Sequence, residues 1–109
     1  MAVQSRHRMI GVLTHHWAKD GRVEEARALL ERNGRAQSRA PGFVSRHQLV
    51  SLSDSSKISS LVVWESADIY DQWKGSYERV VAMIGAVELW ERQPESERFT
   101  VSGRLEVGD

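Results

Sequence analysis

Apolar and polar residues alternate from His7 to Trp17. Met9, Gly11, Leu13, His15 and Trp17 share one face of an extended chain, and Ile10, Val12, Thr14 and His16 share the other. Both faces are apolar at the start of the segment, which predicts a central strand covered on two sides. Lys19-Asp20-Gly21 then breaks the run as a turn. The spacing lengthens next. Val23, Ala26, Leu29, Leu30 and Asn33 follow a helical repeat, while Glu24, Glu25, Arg27, Glu31 and Arg32 fill the outer face. The pattern predicts a helix capped by Asp20, weakened in its last turns by Gly34, and ended after Arg39 by Pro41-Gly42.

Two alternating runs follow, Phe43–Leu52 and Ile58–Glu65, and the polar tip Ser53-Asp54-Ser55-Ser56-Lys57 between them predicts a hairpin. From Ser66 the helical period returns, with Ser66 as cap and Ile69, Tyr70, Trp73 and Tyr77 on one stripe. Gly75-Ser76 divides this region into two short helices, the second carrying Val80, Val81, Ile84 and Val87. Gln93-Pro94-Glu95 closes it, and the strict alternation from Arg98 to Val107 predicts a last strand. The order strand, helix, strand, strand, helix, strand is the ferredoxin-like βαββαβ arrangement of α+β proteins, an antiparallel sheet with helices on one face. Apolar residues on the uncovered face predict a homodimer packed sheet against sheet.

Composition narrows the picture. The 109 residues, 40% hydrophobic and 28% charged, suit one globular domain over 1–109, with a core at about 8–107. Lys plus Arg and Asp plus Glu both number 15, so the charge balance gives no support for a nucleic-acid partner. The lack of Cys excludes disulfides, thiol nucleophiles and thiolate metal sites. No apolar run approaches the ~18 residues of a membrane span, and the basic stretch Arg6-His7-Arg8 precedes no apolar segment of signal-peptide length. A cytoplasmic protein is the expectation.

Ala40-Pro41-Gly42-Phe43 lies between the first helix and the second strand, and Val62-Val63-Trp64-Glu65-Ser66-Ala67 carries the third strand into the next helix, continued by Tyr70-Asp71-Gln72-Trp73. On these segments the chain resembles the antibiotic biosynthesis monooxygenase-like group of the dimeric α/β-barrel superfamily, over roughly residues 8–107. The resemblance implies a dimeric α/β barrel with a ligand site in each subunit between the sheet and its helices. Members include cofactor-independent monooxygenases of polycyclic aromatic substrates, haem-degrading enzymes and proteins without a defined reaction; fold alone does not choose among them.

The haem-degrading branch uses an Asn on the first strand, a Trp on the second helix and a His ten residues beyond that Trp. Trp73 matches the Trp, nine residues after Trp64. Met83 stands where the His would, and Asn33, the only Asn, lies on the first helix. Haem degradation would therefore proceed at an altered site, with a thioether in place of an imidazole. No phosphate loop and no nucleophile elbow is present. His15 and His16 are adjacent on a strand and cannot chelate one metal together, and a His15–His47 pair would reach across about 9.6 Å. No metal site is expected.

Trp17, Trp64, Trp73 and Trp90, with Tyr70 and Tyr77, carry two readings. They fill a core, or they wall a cleft for a flat organic molecule. In the second case Trp73 and His15 are the candidate catalytic residues, with Trp64, Tyr70, Tyr77, Met83 and His47 as ligand contacts. Cofactor-free oxygenation needs a substrate that becomes an electron-rich anion, a base such as His15 or His47, and a dry pocket, with no metal or flavin. A one-residue shift along the first strand would put Thr14 or Leu13 at the pocket instead. The functional expectation is a cofactor-independent monooxygenase of a small phenolic or quinonoid molecule. The alternatives are a non-catalytic small-molecule or haem-binding domain and a structural dimer.

Overall fold

The computed structural model describes residues 8–103. Its strands are β1 (Ile10–Ala18), β2 (Phe43–Val50), β3 (Lys57–Trp64) and β4 (Trp90–Thr100). They form one antiparallel sheet in the order β2-β3-β1-β4. Helix α1 (Val23–Ser38) joins β1 to β2. Helices α2 (Ala67–Lys74) and α3 (Tyr77–Ala82), followed by a 3-10 turn at Ala86–Leu89, join β3 to β4. This is a ferredoxin-like α+β fold.

The hydrophobic alternation decides which face the helices cover. In β1 the even-numbered residues Ile10, Val12, His16 and Ala18 turn toward the helices, level with Ile58, Val62 and Trp64 of β3. Two clusters form the core between the layers. One joins Ala18 and Ile58 to Ala26, Leu29 and Leu30 of α1 and to Ala86 and Leu89. The other joins Ile10, Val12, Val62 and Trp64 to Trp73. The odd-numbered face carries Leu13, His15, Leu49, Leu61 and Phe99, and the described residues cover none of it with a helix.

Local signals set most boundaries. The Ser66 hydroxyl accepts from the Ile69 amide and starts α2; the Ser76 hydroxyl accepts from the Arg79 amide and starts α3. Gly75 separates the two, as expected from Gly75-Ser76. The hairpin tip is held by its own side chains: Ser51 Oγ accepts from the amides of Ser53 and Asp54, and Asp54 Oδ1 from the Ser56 amide.

Several boundaries depart from expectation. Asp20 does not cap α1. Gly21, at a φ of 78°, closes a turn in which the Arg22 amide donates to Lys19 O, so the helix starts two residues later, after Arg22. Glu24 and Glu25 still occupy its first turn, near the positive end of the helix dipole. The helix runs unbroken through Gly34. Val80, Val81, Ile84 and Val87 are solvent-exposed; α3 ends at Ala82, and after Gly85 at φ 87° the 3-10 turn buries Ala86 and Leu89 instead. The last strand begins at Trp90 rather than Arg98. Pro94 lies inside it, at the register shift between Glu95 and Arg92, and an edge strand tolerates a proline at such a bulge. The expected ends of the first and last strands, at His7 and at 104–107, lie outside the described residues.

Candidate functional site

A cavity of about 860 Å³ opens between the helix-facing side of the sheet and the helices. The sheet supplies Val12, Thr14 and His16 from β1, Arg46 from β2, and Ser60 and Val62 from β3. Helix α1 contributes Leu30, Asn33 and Gln37; Tyr70, Trp73 and Lys74 come from α2. Arg79, Met83 and Trp90 complete the wall opposite. Among the described residues none of the lining groups is an Asp or Glu.

The aromatic wall is built on a buried support. Trp64 is fully buried and stacks beneath Trp73, with centroids 6.1 Å apart and planes 27° apart. Phe43 meets Trp64 edge-on at 5.8 Å, and Tyr70 packs against it at 5.8 Å. Such pairs hold their rings at fixed angles beyond simple burial. Trp73 thus faces the cavity with its orientation fixed from behind, whereas Trp64 is core. Lys74 and Arg98 approach the Tyr70 ring to 5.8 and 4.8 Å. Burial raises the Tyr70 pKa, against the pull of Arg98 and Arg79, so its phenol stays protonated at neutral pH.

His16 is buried at 6% exposure and packs against Trp90, centroids 4.7 Å apart. Burial lowers its pKa to about 4, with Arg46 and His15 adding to the effect and the Ile58 backbone opposing it. The ring is therefore neutral at pH 7, and among the described residues its Nδ1 has no hydrogen-bond partner; neither has Oδ1 of the buried Asn33, nor Nε1 of Trp64 in the core. Buried polar atoms are normally paired, so two orphans beside one cavity mark a place where a ligand or water completes the bonding.

Arg46 crosses from β2 toward α1. Its Nη1 donates to Gln37 Oε1 at 2.8 Å, and its Nη2 to Leu30 O at 3.0 Å and Gln48 Oε1 at 3.1 Å. Burial lowers its pKa, and no described carboxylate pairs with it. A guanidinium stays charged even so.

The residues singled out from the sequence divide in two. Trp73, Tyr70 and Met83 meet at the cavity, and Thr14 joins them. His15 does not reach it: its ring lies on the opposite sheet face, bonded through Nδ1 to Ser59 Oγ at 2.6 Å and 6.1 Å from Trp17. His47 sits exposed on that same face, across from Leu61. Tyr77 is exposed beside a separate groove of about 580 Å³ on the helical layer. Asn33, although on α1, lines the cavity together with Trp73 and Met83. His16 and Arg46, not singled out from the sequence, line it as well. In the β1–β3 pairing Ile10 lies opposite Trp64, which faces the helices, so the β1 residues of the same parity, Ile10 through His16, face them too.

A four-stranded antiparallel sheet with its helices on one face, and a cavity between the two layers, defines a ferredoxin-like domain with an internal cavity. Residues 9–83 match the antibiotic biosynthesis monooxygenase family, and the chain belongs to it. Solved structures agree in fold. A mutant of SnoaB, a cofactor-independent oxygenase from Streptomyces nogalater, superposes with a TM-score of 0.80 at 17% identity, over 90% of this chain and 97% of that one. A conserved protein from Methanosarcina mazei gives 0.79 at 17%, over 92% and 98%. Rv0793 from Mycobacterium tuberculosis gives 0.76 at 16%, over 93% and 99%. No curated protein matches the chain. Among the described residues no helix is long and apolar enough to cross a membrane.

Proposed function

We propose that this chain is a cofactor-independent monooxygenase of a small phenolic or quinonoid molecule, acting as a single domain. The observation that carries the reading is the cavity walled by Tyr70, Trp73 and Trp90 that also holds the orphaned polar atoms of His16 and Asn33. Flat rings stack on such walls, and a few convergent polar groups orient them. Triplet oxygen accepts electrons one at a time, so an electron-rich substrate anion can replace a metal or flavin. For an anthrone-like substrate the steps balance: a ring CH₂ loses a proton, the carbanion gains O₂ to form a peroxide, and loss of water leaves a C=O. One O₂ is consumed, and one water leaves.

His16 fits the proton-accepting role better than His15 or His47, which lie across the sheet from the cavity. Burial keeps the imidazole neutral, the form able to take a proton. An anion forming beside it would raise its proton affinity, since an opposite charge favours the imidazolium. Trp73 would stack on the substrate, and Tyr70 would donate a hydrogen bond from its protonated phenol.

The assembly proposed with this activity is a homodimer packed through the odd-numbered sheet face. Leu49, Leu61 and Phe99 are 44%, 36% and 44% exposed there, and apolar surface of that kind favours a second copy.

An oxygen electrode tests the chemistry. With anthrone or a hydroquinone the protein should accelerate oxygen uptake above the uncatalysed rate, giving anthraquinone from anthrone. No acceleration with these substrates overturns the reading. A second reading, a non-catalytic binding domain, draws on the low basicity of His16. Ligand binding without oxygen uptake would select it, and a Soret band on haem titration would select its haem-binding form.

A further inference from the structure

The charge on the cavity wall differs from that of the chain. Acidic and basic residues balance at 15 each. The wall nevertheless carries the cationic side chains of Arg46, Lys74 and Arg79, with no Asp or Glu among the described lining residues. Four of the acids elsewhere are paired with other cations: Glu24, Glu25 and Glu31 with Arg22 and Arg27, and Asp71 with Arg98. None of these three cations has a described carboxylate within ion-pair distance.

Arg46 differs from the other two. Lys74 is exposed and leans over Tyr70, and Arg79 is half-exposed at the start of α3; the Arg92 guanidinium packs on Trp17, on the odd-numbered face. Arg46 is instead drawn between the layers, where its three protein acceptors are all neutral. Of its five N–H donors, three have partners; the Nε hydrogen and one on Nη1 have none among the described residues. A half-buried charge without a counter-ion loses part of its hydration at a cost, and a carboxylate or phenolate offsets that cost through charge-assisted hydrogen bonds. The packing makes room for this charge. Gly34 of α1 leaves open the space that Arg46 occupies, since a Cβ there would stand 2.5 Å from Nε and 2.8 Å from Cδ.

We propose that the cavity selects flat aromatic ligands bearing a negatively charged oxygen, and that Arg46 is the specificity-determining cation that receives it. Lys74 and Arg79, nearer solvent, draw the anion toward the opening. This rests on the cavity being the substrate site of the proposed oxygenase and names the charge class of that substrate. It also gives this half-buried cation a second effect: an enolate or phenolate formed during turnover is stabilised where its charge develops.

The test is equilibrium binding to the full chain, read by tryptophan fluorescence, with 2-naphthoate and its neutral counterpart 2-naphthamide. The expected result is at least about tenfold tighter binding of the naphthoate. In Arg46→Gln the two affinities should become equal while that for the naphthamide holds. Arg46→Lys, which keeps the charge but not the fork, should retain part of the preference. Equal affinities in the parent protein, or no binding of either compound, overturn the proposal without any variant. A preference that survives Arg46→Gln in a folded protein overturns the role of Arg46. Failure here is distinguishable from failure of the oxygenase reading: charge-selective binding without oxygen uptake removes only the oxygenase, and oxygen uptake without charge selectivity removes only this inference.

Discussion

Gly34 and Arg46 share one volume: the place a side chain would take on Gly34 is filled by the Arg46 arm, with Cζ 3.2 Å from where a Cβ would stand. Gly in a helix interior costs about 1 kcal/mol relative to Ala, so replacing it would ordinarily stabilise α1. Here the Nε, Cδ and Cζ atoms must move, and Arg46 is fixed by bonds to Gln37, Leu30 and Gln48. Gly34→Ala should therefore lower stability by about 1–2 kcal/mol net, the overpacking cost exceeding the helix gain. Urea unfolding measures it. The same substitution should reduce the naphthoate preference, and a stabilised Gly34→Ala protein would show that Arg46 is free to swing away.

Trp73 is nearly buried, yet it borders the cavity while stacking on Trp64. Trp73→Phe keeps a ring on Trp64 but shortens the wall that meets the ligand. Affinity for a flat aromatic ligand should fall by about 0.5–1.5 kcal/mol with the fold intact. Unchanged affinity for every ligand of the parent would return Trp73 to the core alone.

What the sequence displayed was local chemistry. Ser66 and Ser76 announce helix starts because a hydroxyl needs only an amide three residues away. The hairpin is legible because Asp54 and the serines around it close a turn among themselves. What remained hidden depends on distant neighbours. Pro94 reads as a terminator until β4 is known to be an edge strand. Asp20 reads as a cap until Gly21 closes the turn ahead of the helix. The choice between His15 and His16 depends on which face the helices cover, and β1 is apolar on both at its start. Arg46 is the hardest case. In an alternating strand an arginine signals solvent, and only α1, with Gly34 and Gln37 against it, turns that position inward.

Leu61 lies at the centre of the odd-numbered sheet face, opposite Leu13 on one side and His47 on the other. If two copies pack through this face, sedimentation at micromolar concentration should give about twice the 12.4 kDa chain mass. Leu61→Glu would place two like charges near one another in the dimer, one from each copy, without entering the helix-facing core. It should shift the protein toward monomer while far-ultraviolet circular dichroism stays unchanged. A parent protein that sediments as a monomer removes the homodimer.

His16 links the site to the pH dependence of folding. Its pKa is about 4 in the folded protein, against 6.5 for the unperturbed side chain. Above pH 6.5 the ring is neutral in both states and contributes no pH dependence. As pH falls from 6.5 toward 4 the unfolded chain takes up a proton that the folded one refuses, so stability declines across that window; below about 4 both states are protonated and the decline stops. A shift of this size corresponds to about 3 kcal/mol in all, most of it lost by pH 4.5. Carboxylates titrate in the lower part of the same range, so the comparison must be with His16→Phe, which keeps a ring against Trp90 but carries no proton. Between pH 7 and pH 4.5 the parent should lose about 2–3 kcal/mol more than the variant in urea unfolding. Equal losses would mean that His16 keeps its ordinary pKa in the folded protein, and that burial does not hold its ring neutral below pH 6.5.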